Sequence, residues 1–314
     1  MSGHLFVHIG PPKSATTSLQ CALEGIDHPR FVYGGVLQPR NRNHDTYAKV
    51  VVEYCTPKGK AVETVAQAMV EDIRRQVAMG KCVVISEEML LLSQERSTWR
   101  EKLKRLKALL GDIPTTVLVT VRDPEEALPS LYQEIYRSLP IRMKLSFAAF
   151  CKSEKSSCYD FHLILDELDA LGFEPVRLLH FDIARRGRVS SQELFGKKDV
   201  LRKRDIQIGH QNAGLKRSAE ALERRIDKFT LKNFGQLPAI RWVVDRLNLR
   251  SSSVYRRTVQ LLDCIQLRPS GYRSLVLPAK EAERFAKGYL MARKILESQA
   301  GIPADSSNLP DELA

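Results

Sequence analysis

The sequence predicts an α/β fold of three layers, α/β/α, with a central, mostly parallel sheet and a helix-rich C-terminal part. Three observations carry that expectation. Short apolar runs recur at residues 4–9 (HLFVHI), 82–85 (CVVI), 115–121 (TTVLVTV) and 175–181 (PVRLLHF), as strands covered on both faces require. Stretches with helical spacing of their leucines separate these runs, the alternation that builds a parallel sheet. At 314 residues and 43% apolar composition the chain can bury one large core. Residues 1–314 therefore read as a single domain, with a polar tail at 302–314 expected to be flexible.

The first run ends at Gly10-Pro11-Pro12, a turn signal, and residues 15–24 then offer helix formers with Leu19 and Leu23 one turn apart. Residues 38–45 (QPRNRNHD) read as a loop, and 46–79 as helix interrupted near Pro57 and Gly59. After the second strand, residues 99–110 place Leu103, Leu106 and Leu110 on one face, and Gly111 ends that helix. Arg122-Asp123-Pro124 follows the third strand at once, with Asp123 as N-cap and Pro124 at the first helical position. That helix is expected to run toward Arg137 with a kink at Pro129. Residues 161–171 read as the helix before the fourth strand, and the chain from Asn212 onward as amphipathic helix with basic faces.

Lysine and arginine outnumber aspartate and glutamate by 49 to 37, a formal charge of +12 that favours an anionic ligand or surface. Aromatic residues make up only 7% and do not interleave with the basic runs, so recognition of nucleic acid by base stacking is not expected. Six cysteines without a CxxC arrangement suit reduced thiols and a cytoplasmic location. No basic leader or long apolar stretch is visible, so neither a signal peptide nor a membrane span is expected. No His, Cys and Asp spacing suggests a metal site.

The strongest local feature is HIGPPKSATTSLQ, residues 8–20, where the first strand turns into the first helix. Such a loop aims backbone N–H groups and a helix N-terminus at one spot, a site for phosphate or another oxyanion. Lys13 adds a positive charge, and Ser14, Thr16, Thr17 and Ser18 add hydroxyls. The Walker A pattern GxxxxGK(S/T), started at Gly10, needs Gly, Lys and Ser or Thr at 15–17, where Ala15, Thr16 and Thr17 stand. Instead, the loop resembles the 5′-phosphosulfate loop of the sulfotransferases that use 3′-phosphoadenosine-5′-phosphosulfate. In that family a lysine, one or two small residues and a Thr-Thr or Thr-Ser run open the first helix; Ala15 stands where glycine is more usual.

A second stretch, TVLVTVRDPEEALPSLY at 116–132, resembles the same family's 3′-phosphate site, in which an arginine and a serine eight residues apart clasp the phosphate. Arg122 and Ser130 hold that spacing. Residues 176–182 and 209–222 resemble later parts of bacterial sulfotransferase domains, the second contributing Asn212 and Lys216. The resemblance implies a P-loop-like fold and transfer of a sulfuryl group to a hydroxyl or amine. It also implies donor binding by Lys13, Ser14, Ala15, Thr16, Thr17, Ser18, Arg122, Ser130 and Asn212, with no metal required.

An acceptor hydroxyl must lose its proton as it attacks, which calls for a base within hydrogen-bond reach. Glu88 is the first candidate, at the C-terminal end of the second strand, the edge where open α/β sheets bind ligands. Glu87 competes, because adjacent strand residues point to opposite faces and only one of the two can face the donor. His44, in the loop NRNHD, is the third candidate, by its near-neutral pKa. His8 lies inside a strand and reads as packed core. The acceptor has no readable signature: a glycan, a lipid and a small molecule all stay open, within loops at 30–60, 138–160 and 185–212, and so does the oligomeric state. The rival readings are a P-loop-type nucleotide kinase and a non-catalytic polyanion-binding protein.

Overall fold

The computed structural model describes residues 3–35, 46–56, 61–94, 97–209 and 275–299. His44, Asn212, Lys216, the loop at 38–45 and the tail at 302–314 lie outside the described residues. In chain order the elements are β1 (His4–Ile9), α1 (Thr16–Glu24), β2 (Phe31–Tyr33), α2 (Tyr47–Cys55), α3 (Ala61–Ala78), β3 (Cys82–Ser86), α4 (Trp99–Leu110), β4 (Thr115–Val121) and α5 (Pro124–Ile135). They continue with α6 (Ile141–Leu145), α7 (Phe147–Cys151), α8 (Phe161–Ala170), β5 (Val176–His180), α9 (Ile183–Arg186), β6 (Arg188–Ser190), α10 (Ser191–Phe195), β7 (Asp205–Gln207) and α11 (Ala279–Gln299).

Five strands form one parallel sheet in the order β2-β3-β1-β4-β5, and β6 and β7 form a separate antiparallel pair. The period of two along each strand sorts the core into two layers. Leu5, Val7 and Ile9 of β1, with Val117, Val119 and Val121 of β4, pack with α2, α3, α4, α5, α8 and α11. Phe6, Val84, Leu118 and Leu179 face the other way, against Leu19 and Leu23 of α1 and the unit formed by β6, α10 and β7. The sheet is therefore buried on both faces, which accounts for its near-continuous apolar strands.

Local sequence explains the element boundaries. Asp123 accepts a hydrogen bond from Glu125 N at 2.8 Å and Pro124 sits at the first helical position, so α5 starts directly behind β4. The helix assignment continues through Pro129 to Ile135 and then tightens into a 3₁₀ turn at Tyr136–Ser138. Thr98 and Glu101 form a reciprocal capping box that starts α4.

Among the described residues, the outer edge of β5 is met by a side chain rather than a strand. Gln299 accepts from Leu178 N at 3.0 Å and donates to Val176 O at 3.2 Å, supplying one donor and one acceptor to that edge. Upstream, α11 crosses the start of α8 at Gly288, where a Cβ would lie 2.7 Å from His162 N, so only glycine permits that approach. Among the described residues, no helix is long and apolar enough to cross a membrane.

Candidate active site

Neighbouring strands β1 and β4 send their connections to opposite faces: α1 packs in one core layer and α5 in the other. At such a point the loops after the two strands diverge and leave a crevice at the C-terminal edge of the sheet. The loop of Lys13 and the arginine after β4 both lie at that edge.

The loop after β1 is wound tightly. Gly10 is required there, since a Cβ would stand 2.5 Å from Thr16 Cγ2 and 2.8 Å from Ser14 Oγ. Lys13 and Ala15 both adopt left-handed backbone, at φ 73° and 60°. Alternating left- and right-handed residues produce a concave row of amides that suits an anion. The amides of Lys13, Ala15, Thr16 and Thr17 donate to no backbone carbonyl among the described residues, and they stand at the positive end of α1.

The hydroxyls of the loop take different places. Ser14 spends its own on Pro11 O, at 2.6 Å. Thr16 donates to Glu88 Oε2 at 2.8 Å, while Thr17 is half-buried and makes no side-chain hydrogen bond among the described residues. Ser18 is buried on the first turn of α1.

Lys13 and Arg122 come together directly: Arg122 Nη1 donates to Lys13 O at 2.6 Å. The guanidinium also lies over the Phe181 ring, 4.3 Å from its centroid, and reaches Glu126 at 3.5 Å. Its Nε–H is buried and meets no acceptor among the described residues, the kind of orphan donor that calls for an occupant. The Lys13 ammonium pairs with Glu134 of α5 at 3.3 Å. Ser130 is half-buried on α5, and no hydrogen bond joins it to Arg122. Six residues past the helix start, it stands about 9 Å along the axis of α5.

The paired carboxylates after β3 take different places. Glu87 is buried and accepts from Met89 N at 2.8 Å, capping a 3₁₀ turn at Glu88–Leu90. Glu88 is half-buried and reaches the loop after β1 through Thr16. Lys102, buried on α4, fixes this turn by donating to Met89 O at 2.8 Å and Leu92 O at 2.7 Å; burial lowers its pKa to about 8. A lysine four residues into an amphipathic helix carries no local mark of burial, so the sequence alone does not single out Lys102.

Beneath the loop, His8 is fully buried between Ser86 Oγ and Thr120 Oγ1, each at 2.7 Å, and ties β3, β1 and β4 together where the site begins. Burial holds its pKa near 4, and that of His4 near 4 as well, with Lys198 adding to the effect on His4. Between pH 6.5 and 4 the unfolded chain binds protons that the folded chain refuses, so stability is full above 6.5 and falls as the pH drops toward 4. For His8 alone that window corresponds to about 3 kcal/mol. Denaturant midpoints measured across it should fall more steeply for the wild type than for His8→Gln; equal slopes would remove His8 as a cause.

No protein-family model matches the chain, and no curated protein does. Among solved structures the chain is similar to a sulfotransferase from Alicyclobacillus acidocaldarius, at 16% identity and a TM-score of 0.37, over 72% of this chain and 94% of that one. A likeness at that level speaks to neither activity nor substrate.

Proposed function

We propose that this protein is a sulfotransferase that uses 3′-phosphoadenosine-5′-phosphosulfate as donor. The observation that carries the reading is the bond from Arg122 to the Lys13 carbonyl, which joins two anion-seeking features across the divergence of β1 and β4. One of them is a turn of unbonded amides with a lysine, suited to a phosphosulfate. The other is a guanidinium with a buried, unbonded Nε–H, suited to the ribose 3′-phosphate. A ligand that carries anions at both ends and a nucleoside between them satisfies both.

In the reaction, an acceptor oxygen or nitrogen forms a bond to sulfur as the bond from sulfur to the bridging phosphate oxygen breaks. Adenosine 3′,5′-bisphosphate leaves with the electron pair, and the acceptor's proton passes to a base. Lys13 and the loop amides stabilise charge growing on the bridging oxygen. Glu88 is the base in this reading, with Glu87 and His44 as its alternatives. Thr16, Thr17 and Ser18 complete the loop's donors, Ser14 and Ala15 shape it, and Ser130 and Asn212 bind the nucleotide with Arg122. The acceptor is a hydroxyl or amine of a glycan, a lipid or a small molecule.

Calorimetry with adenosine 3′,5′-bisphosphate against adenosine 5′-monophosphate tests the reading. The wild type should prefer the bisphosphate about tenfold to a hundredfold, the worth of a charge-assisted hydrogen bond or two. Arg122→Ala should erase the difference. Equal affinities in the wild type, or tightest binding of magnesium ATP as a nucleotide kinase would show, sink it.

A further inference from the structure

The left-handed turn at Lys13 and Ala15 is a conformation that residues with a Cβ adopt only when their surroundings hold them there. Two side chains from distant parts of the chain supply that hold, and each takes a carbonyl of the turn. Arg122, after β4, takes Lys13 O. Tyr159, 147 residues downstream of the turn, donates its hydroxyl to Pro12 O. Because the C=O and N–H of a peptide unit point in opposite directions, tying the Pro12 carbonyl on one side turns the Lys13 amide to the other.

Tyr159 is itself held firmly. It is fully buried at the end of a 3₁₀ turn, Ser157–Tyr159, just before α8. That turn is pinned to α4 by Trp99 Nε1, which donates to Ser157 Oγ at 2.8 Å, and closed by Ser157 Oγ donating to Glu154 O at 2.7 Å. Burial raises the phenol well above its ordinary pKa, so it stays a neutral donor throughout the working range. A tyrosine hydroxyl buried in an apolar layer needs an acceptor, and the one it has is the anion-binding turn.

We infer that Tyr159 is a positioning residue of the Lys13 turn, which sets the turn's amides for an anion from behind without touching the ligand. The inference rests on the reading that this turn binds the phosphosulfate end of the donor. Tyr159 lies in the segment at 138–160, one of the loops in which the acceptor is expected to bind.

The test is Tyr159→Phe, which removes the hydroxyl and keeps the ring. Calorimetry is run with inorganic pyrophosphate and with adenosine 3′,5′-bisphosphate, alongside thermal melts of the ligand-free protein. Affinity for both ligands should drop about tenfold, the effect of a lost hydrogen bond that ordered the binding amides. With donor and an accepted substrate, KM for the donor should rise while kcat holds. Should Tyr159→Phe not fold, Ser157→Ala frees the same turn from Trp99 and should cost about threefold to fivefold in both affinities. A lower melting temperature with both affinities intact overturns the inference, since it leaves Tyr159 only structural. Pyrophosphate binding in the wild type without preference for the bisphosphate overturns the nucleotide reading alone, and the pyrophosphate arm then still decides for or against Tyr159. Binding of neither ligand by the wild type overturns both.

Discussion

Glutamine in place of Glu88 is expected to slow sulfuryl transfer by about two to four orders of magnitude, the range for a lost general base, while adenosine 3′,5′-bisphosphate still binds. The expectation comes from where β3 stops. The strand ends at Ser86 and the chain turns at once into a 3₁₀ turn, so the two adjacent glutamates separate. Glu87 is drawn inward to cap that turn, whereas Glu88 keeps partial exposure and contacts the loop after β1 through Thr16 at 2.8 Å. A glutamine can still accept that hydrogen bond, so the loop keeps its shape and only the capacity to take a proton is lost. Single-turnover rates with the preformed donor complex isolate the step. Full activity in Glu88→Gln would move the base to Glu87 or His44, and loss of nucleotide binding would make Glu88 part of the donor site instead.

The contrast between Glu87 and Glu88 marks what the sequence could and could not convey. The strands of the sheet announce themselves because a strand covered on both faces must be apolar along its length, as 115–121 is. The loop and the Asp123-Pro124 start of α5 are equally readable, because turns and caps are decided by residues within a few positions of each other. The three residues of β2 fall below the length at which a pattern forms, and only pairing with β3 makes them a strand. Alternation along β3 says that one glutamate of the pair faces inward, but which one depends on how the turn closes. The contacts that shape the site, Arg122 to Lys13, Tyr159 to Pro12 and His8 to Ser86 and Thr120, join residues 78 to 147 positions apart. They follow from strand register and from the packing of distant elements, which no local window of sequence contains.

Lys13→Ala should lower kcat by about a hundredfold to a thousandfold, with a smaller effect on nucleotide affinity. The structure gives a reason to separate the two effects. Lys13 already has an anionic partner in Glu134, at 3.3 Å, with the two side chains 34% and 49% exposed. An ion pair that wet is worth about 0–1 kcal/mol, so exchanging Glu134 for a ligand oxygen gains little in the ground state. The gain comes when negative charge gathers on the bridging oxygen of the breaking bond, because the preorganised loop then holds a charge that Glu134 does not match. Glu134→Gln follows from the same argument with opposite sign: it frees Lys13 and should tighten bisphosphate binding by up to about fivefold with kcat unchanged. If Lys13→Ala instead weakens binding and spares kcat, the ammonium only tethers the donor, and the transition-state role passes to the loop amides that Tyr159 and Arg122 hold in place.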